Sequence, residues 1–202
     1  MRVKRLWLCI AATLAMVACI PVDDFGTYWD KGVVDPALEV TWKSIDLPGR
    51  PPEERIGPKE LRFIRTGSSY SMVGIEPSIA PEVIERLKAS DAQASNPQLS
   101  VRTLRVGTRR FLMERNPEPR SGGAIVSYEI RGRALTEYWY QSDALIEFLR
   151  TRHPGAKNIH KALDVGSVVI GTFDDEVFRI LSEVPDLPAY RTLIARYQKA
   201  SN

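Results

Sequence analysis

The stretch that decides the fold is Leu99–Tyr140, LSVRTLRVGTRRFLMERNPEPRSGGAIVSYEIRGRALTEYWY. Apolar residues alternate with polar or charged residues along most of it, as they do in strands with one buried face. Short turn-forming segments, among them Gly107 and the Arg131-Gly132 pair, divide it into four runs. The stretch therefore predicts a meander of four antiparallel strands. Near Thr103 the alternation slips by one position, which indicates either a bulge or a strand buried on both faces.

Further strands are predicted on the N-terminal side of this stretch. Leu38–Asp46 alternates as a half-buried first strand should, and Lys59–Arg65 with Tyr70–Glu76 predicts a hairpin. Between them, Leu47–Pro58 carries four prolines and two glycines and predicts a loop. After the hairpin, Pro81–Ala89 predicts a helix, because proline suits a first helical turn and the apolar residues that follow it share one face.

Two helices and a strand are predicted on the C-terminal side. Ser142 suits the N-cap of a helix that His153-Pro154-Gly155 ends. Gly166–Phe173 predicts a buried strand, and Thr172 could cap a second helix whose first turn is acidic. The apolar residues of that helix, at helical spacing, are Val177, Ile180, Leu181 and Val184.

The last segment of the chain is ambiguous in its pattern. Its apolar residues lie at helical spacing, which indicates a helix, and a closing strand is the alternative. They are Tyr190, Leu193, Ile194 and Tyr197.

The first predicted strand carries a motif. Val40-Thr41-Trp42 resembles the Gly-x-Trp motif at the first strand of lipocalins and lipocalin-like lipoproteins, with Val40 in place of the glycine. The resemblance implies an antiparallel barrel that encloses a ligand cavity.

The order of the elements favours one fold class. Runs of strands with helices inserted between them predict a single α+β domain over residues 38–202. We expect mainly an antiparallel curved sheet, or an incomplete lipocalin-like barrel, with two to four packed helices. The alternative is a cone-shaped sheet wrapped around a helix.

The N-terminal residues Met1–Ile20, MRVKRLWLCIAATLAMVACI, have the layout of an export signal. A positive segment with Arg2, Lys4 and Arg5 precedes a run of thirteen apolar residues, which is shorter than the roughly 20 residues of a membrane-spanning helix. Met16-Val17-Ala18-Cys19 resembles the bacterial lipobox, which implies a lipid on Cys19 after cleavage. The alternative is a secretory signal cut after Ala15.

The lipobox resemblance implies an organisation and an address. Residues 1–18 would be the signal peptide, and residues 19–37 a lipidated N-terminus and tether. The protein would be anchored in the bacterial envelope, and Ile20 after the cysteine favours the outer membrane facing the periplasm over the inner membrane. The aromatic residues of the tether, Phe25, Tyr28 and Trp29, would dock on the domain or lie at the lipid headgroups.

Charge and cysteine usage exclude some classes of function. The formal net charge of +3 disappears with the signal, because removal of its three cationic residues leaves 25 basic against 25 acidic residues. A nucleic-acid partner is therefore not expected. Cys9 leaves with the signal, so Cys19 alone remains and no intramolecular disulfide is possible.

The sequence contains no recognisable catalytic or metal-binding constellation. His153 and His160 are the two histidines, and their spacing with Pro154 and Gly155 between them does not suit a metal site. No Gly-x-Ser-x-Gly elbow and no phosphate-cradling glycine loop occurs. No catalytic residue, metal or cofactor is therefore predicted.

Aromatic residues of the predicted strands are candidates for lining an apolar ligand cavity. Tyr128 is expected to face Tyr138 and Tyr140 across the hairpin at Gly132, with Trp139 on the opposite side. Cross-strand aromatic pairs would equally stabilise a sheet without any ligand. The candidate ligand-binding residues are Trp42, Tyr128, Tyr138, Trp139 and Tyr140.

Arginines are concentrated in the central stretch. Their planar guanidinium groups suit phosphate and carboxylate groups of a membrane or an acidic partner. Alternation along strands could instead spread them over two faces as solvated residues. The candidates for contact with anionic groups are Arg102, Arg105, Arg109, Arg110, Arg131 and Arg133.

Together these features predict a non-enzymatic envelope lipoprotein whose folded domain binds an apolar or amphipathic small molecule, or a lipid. The partners expected are the membrane, through the N-terminal lipid, and that ligand. The alternative function is a protein–protein interaction or structural module of the envelope. A hydrolase without a recognisable motif is the third possibility.

The lipid on Cys19 is directly testable. Cells that express the chain and are fed radioactive palmitate should label the wild-type protein, and Cys19→Ala should abolish the label because the thiol that carries the diacylglycerol is gone. Label that survives Cys19→Ala, or none on the wild type, would contradict the lipobox.

Overall fold

The computed structural model describes residues 20–47, 58–75, 99–115, 122–161 and 168–201. The predicted signal peptide, residues 1–18, lies outside these residues together with Cys19. The predicted helix Pro81–Ala89 and most of the predicted loop Leu47–Pro58 lie outside them as well. The strands in the described part are β1 (Ile20–Asp24), β2 (Thr41–Ser44), β3 (Glu60–Thr66), β4 (Ser69–Ile75), β5 (Leu99–Val106), β6 (Arg109–Arg115), β7 (Gly123–Arg131), β8 (Ala134–Tyr140), β9 (Ile159–Lys161), β10 (Val168–Thr172) and β11 (Arg191–Lys199). The helices there are α1 (Tyr28–Lys31), α2 (Ser142–Arg152) and α3 (Asp175–Glu183), with a short 3-10 turn at Pro36–Leu38.

Eight of the strands form a closed antiparallel barrel. Their order is β6-β5-β4-β3-β2-β11-β8-β7, and β7 pairs with β6 to complete the circle. The antiparallel sheet and the packed helices were predicted, and the structure confirms both. The expectation of an incomplete barrel is wrong, because the last strand of the chain fills the gap between β2 and β8.

The ambiguous last segment is this closing strand. In β11, Tyr197 pairs with Ser44 of β2 on one side and with Leu135 of β8 on the other. The register between β11 and β8 shifts between Leu193 and Ala195. Such a bulge inserts one residue and breaks the period of two, which is why the apolar positions of this segment have helical spacing.

The interior of the barrel is largely apolar and aromatic. Side chains alternate between the inside and the outside of each strand. The buried residues of this inner cluster are Leu38, Trp42, Leu61, Phe63, Tyr70, Val101, Leu112, Val126, Tyr128, Leu135, Ile194, Ala195 and Tyr197.

A second apolar core lies outside the barrel. β1 pairs antiparallel with the start of β7 and parallel with β10, which pairs with β9. These strands and the helices pack against the outer side of β5, β6 and β7. The buried residues of this outer core include Val22, Leu104, Val106, Phe111, Met113, Ile125, Leu145, Ile170, Val177 and Ile180.

The two cores explain the slip in alternation near Thr103. β5 pairs with β6 in one unbroken register from Ser100 to Val106, so β5 has no bulge against β6. Thr103 is buried on one side of the strand and Leu104 on the other. β5 is therefore a strand buried on both faces, which was one of the two interpretations.

The residues expected to form a tether pack on the domain from Ile20 onward. β1 is part of the sheet, and the rings of Phe25, Tyr28 and Trp29 are buried in the outer core. Phe25 and Trp29 lie 5.7 Å apart between ring centroids, in a tilted contact. These rings thus dock on the domain rather than extending away from it.

The helices begin close to where the sequence places them. α3 starts at Asp175, and its N-cap is Asp174, whose side chain accepts a hydrogen bond from the Val177 backbone at 3.0 Å. The cap is therefore not Thr172, which ends β10. α2 starts at Ser142 itself, so Ser142 is the first helical residue and not the cap.

One end of the barrel is plugged by residues 33–40. Val33 and Thr103 exchange two backbone hydrogen bonds, of 2.9 and 2.7 Å, and Leu38 is fully buried. The Tyr128 hydroxyl donates to Asp35 at 2.9 Å, and the Tyr70 hydroxyl donates to Glu39 at 3.1 Å. These bonds hold the plug across the end at which the β3–β4, β5–β6 and β7–β8 turns lie.

Candidate functional site

The five aromatic candidates divide between the two sides of the barrel wall. Trp42 and Tyr128 are inside and 1% exposed, and Trp139 is inside and partly buried. Tyr138 and Tyr140 point outward. Tyr140 stacks on Phe111 in the outer core, with ring centroids 6.3 Å apart.

The expectation that Tyr128 faces Tyr138 and Tyr140 is therefore wrong. Arg131 pairs with Ala134, so the hairpin has a two-residue turn and Tyr128 pairs with Glu137. Such a turn places even-numbered residues of β7 on the same face as odd-numbered residues of β8. Tyr128 and Trp139 thus share the interior, and Tyr138 lies opposite Ser127 on the outside.

Two glutamates also face the interior, which sequence reasoning missed. Glu114 follows Leu112 by two residues on β6, and Glu137 lies between Leu135 and Trp139 on β8. Leu112, Leu135 and Trp139 all belong to the inner cluster. Alternation along a strand therefore places both carboxyl groups on the inner face.

The barrel interior changes the acidity of both groups. Burial raises the pKa of the Glu114 carboxyl to about 7. Burial, and then the nearby Glu114 charge, raise the pKa of the Glu137 carboxyl to about 8. The two groups are close enough to repel each other, so ionising both at neutral pH is unfavourable.

Neither carboxyl group is fully enclosed by the described residues. Both side chains keep some accessible surface, although the surrounding protein raises their pKa values. Among the described residues neither has a hydrogen-bond or ion-pair partner. The Trp139 indole nitrogen is buried and likewise has no partner there. A buried polar group without a partner is uncommon, so the Trp139 indole nitrogen is the atom of this set whose hydrogen bonding is incomplete within the described residues.

This acidic site lies at the end of the barrel opposite the plug. Glu114 is the second-last residue of β6, and Trp139 is the second-last residue of β8. Both strands run away from the turns at which residues 33–40 are bound. The hydroxyl groups of Tyr70 and Tyr128 have partners at the plugged end, whereas the Trp139 indole nitrogen at the opposite end has none among the described residues.

The arginine candidates do not form one face. Arg102 donates to the Trp29 carbonyl and to Ser68, each at 2.8 Å, and Arg110 is 3.1 Å from Asp35. Arg105 donates to the Gly107 carbonyl in the β5–β6 turn, and Arg133 donates to the Lys199 carbonyl at the end of β11. Three of the six, however, line one cleft on the outside of the barrel: Arg109, Arg110 and Arg131.

The histidines lie apart. His153 Nε2 is 3.0 Å from a Glu183 carboxylate oxygen, and His160 lies in β9 opposite Val169. Within the described residues no group of three or more His, Cys, Asp and Glu side chains is arranged to hold a metal. None of the helices described there is long and apolar enough to cross a membrane.

Comparison with known proteins adds no relative. No protein-family model matches the chain, and neither the curated proteins nor the solved structures give a significant match.

Because of the acidic pair, we expect the free energy of unfolding of the protein to depend on pH. A carboxyl pKa raised in the folded state means that the native protein binds more protons than the unfolded chain between about pH 4.5 and pH 8. The free energy of unfolding should fall as pH rises through this window. We expect E114Q/E137Q to remove most of that fall, measured by urea unfolding at pH 5 and pH 8.

Glu147→Gln is the matched control, because Glu147 lies exposed on α2 and its pKa is lowered by Arg150. That variant should keep the wild-type loss of stability between the two pH values. An E114Q/E137Q profile parallel to the wild type would show that the two carboxyl groups are not buried in the folded protein.

Proposed function

We propose that the protein is a lipid-anchored protein of the bacterial envelope whose barrel binds one small apolar or amphipathic molecule, or a lipid. An eight-stranded barrel is the size that can hold one small ligand among its interior side chains. The observation that carries the proposal is the set of interior polar groups without partners in the described chain: Glu114, Glu137 and the Trp139 indole nitrogen.

The chemistry of these groups indicates which class of ligand would bind. The inner cluster supplies an apolar surface for a hydrocarbon or aromatic body. Carboxyl groups accept hydrogen bonds and, once ionised, attract a cation, so the polar end of the ligand should donate hydrogen bonds or carry a positive charge. A bound amine would favour the ionised glutamates and lower their pKa values toward the ordinary range.

The plug defines the direction of entry. Residues 33–40 hold the end near the β7–β8 turn through the Tyr70, Tyr128 and Thr103 hydrogen bonds. A ligand therefore enters from the opposite end, where Glu114 and Trp139 lie.

The position at which the folded domain begins determines how closely a lipid on Cys19 would hold it to the membrane. β1 begins at Ile20, directly after Cys19. A diacylglycerol on Cys19 would thus be attached one residue from the sheet, and the domain would be held against the membrane surface without a long spacer. The outer membrane facing the periplasm is the proposed address, and the membrane is a partner through this lipid.

Native mass spectrometry of the purified mature domain tests ligand binding. We expect a bound small molecule that a long-chain alkylamine displaces, and tighter binding of the amine than of the alcohol of equal length. E114Q/E137Q should weaken amine binding about tenfold and leave alcohol binding unchanged, because a carboxylate–ammonium pair is lost.

Glu147→Gln, outside the barrel, should bind both compounds as the wild type does. A wild-type domain that carries no ligand and binds neither compound would contradict the proposal. Equal amine affinity in E114Q/E137Q and the wild type would contradict the role of the two glutamates.

A further inference from the structure

A separate cleft lies on the outside of the barrel, where β7 runs past the start of β6. Arg110 and Tyr128 are the last residues paired between these strands, so Ile130 and Arg131 extend beyond β6. The resulting cleft has a volume of about 320 Å³. Its charged lining residues are Arg109, Arg110, Glu129, Arg131, Asp186 and Arg191, and Ser127 is among its polar ones.

Arg191 is the central cation of the cleft. Its Nε is 2.6 Å from Asp186 and its Nη2 is 2.7 Å from Glu129, while the guanidinium carbon lies 4.1 Å from the centroid of the Tyr138 ring. The side chain is 13% exposed. Its remaining nitrogen, Nη1, is buried and has no partner in the part of the chain that the structure describes.

Ser127 supplies a second unused donor. It lies on the outer face of β7, opposite Phe111 and Tyr138, and is 1% exposed. Its hydroxyl has no hydrogen-bond partner among the described residues. Leaving a buried donor unpaired is costly, so two such donors in one cleft indicate a missing acceptor.

The charge of the cleft favours an anion as that acceptor. Four arginines line it against two carboxylates, and both carboxylates already bind Arg191. Arg131 also pairs with Glu129 at 2.9 Å. Asp35, outside the cleft, pairs with Arg110, so the four arginines and three carboxylates of this whole set carry a formal charge of +1.

Arg109 fixes one wall of the cleft. Its Nη1 donates to the Tyr140 hydroxyl at 3.0 Å, and its Nη2 donates to the carbonyls of Ser182 and Val184 at the end of α3. No carboxylate neutralises it in the described structure. Its charge therefore contributes to the potential of the cleft while its bonds hold α3 against the barrel.

We propose that this cleft is a binding site for a phosphate group. Arg191 Nη1 and the Ser127 hydroxyl would donate to its oxygens from the floor, and the exposed guanidinium of Arg131 would cover it from the rim. A phosphate offers several acceptor oxygens and up to two negative charges, which matches donors that come from different strands better than a single carboxylate does. The phosphate belongs to a soluble phosphate ester or to a phospholipid headgroup.

The site is tested with the wild-type mature domain, inorganic phosphate, glycerol phosphate and phosphatidylglycerol vesicles. Phosphate or its ester should perturb the amide resonances of Ser127, Arg131 and Arg191 in a saturable titration at low salt. Ser127→Ala should weaken binding about tenfold, because a hydrogen bond to a charged acceptor is lost. The same variant should fold at least as stably as the wild type, since it removes an unpaired hydroxyl.

Arg131→Ala and Arg133→Ala form a matched pair, because Arg131 precedes the β7–β8 turn and Arg133 lies in it, and only Arg131 lines the cleft. Arg131→Ala should weaken binding about threefold, and Arg133→Ala should leave it unchanged.

Binding of the soluble anions identifies a soluble ester as the source of the phosphate. Binding of vesicles alone, lost in Ser127→Ala, identifies a phospholipid headgroup. The proposal is overturned if neither probe binds the wild type, or if Ser127→Ala binds as tightly as the wild type.

Discussion

Closure of the barrel by β11 is the constraint on which the rest of the structure depends. The last strand of the chain pairs with β2 on one side and β8 on the other, so residues far apart in sequence complete the hydrogen bonding of two edges. Closure gives every strand of the meander an inside and an outside. The same step places Glu114 and Glu137 in a largely apolar interior, where their charges are poorly solvated.

The two ends of the barrel are not equivalent. At the end near the turns, residues 33–40 satisfy the polar tips of Tyr70, Tyr128 and Trp42. At the other end the carboxyl groups and the Trp139 nitrogen have no such partner in the described chain. On the outside of the barrel, the core around Phe111 buries the outer faces of β5, β6 and β7. The cleft that contains Arg191 lies at the edge of this outer core. Apolar packing thus determines the wall, and the unpaired polar groups of the described residues include Trp139 on the inner side and Ser127 and Arg191 on the outer side.

The sequence predicted local features better than distant ones. Alternation and turn residues are local signals, and they correctly predicted the hairpins of Leu99–Tyr140 and the helix that buries Ile180. Closure depends on pairing between β2 and β11, and the bulge near Ala195 hid the strand period. β1 was missed because Pro21, Asp23 and Asp24 give it no regular pattern, and its partners β7 and β10 are distant in sequence. The sequence did contain a sign of the acidic pair, since Glu114 and Glu137 each lie two residues after a buried leucine and therefore on the same face of the strand. That face can be recognised as the interior only once the closure of the barrel is known.

The most direct test of this account is the ionisation of the two interior glutamates. Carbon-detected NMR of the ligand-free mature domain gives the pKa of each carboxyl carbon by titration. The account predicts midpoints of about 7 for Glu114 and about 8 for Glu137, well above the ordinary value near 4.3. Ordinary midpoints for both groups would show that they face water, and would contradict a closed barrel with an acidic pair inside it.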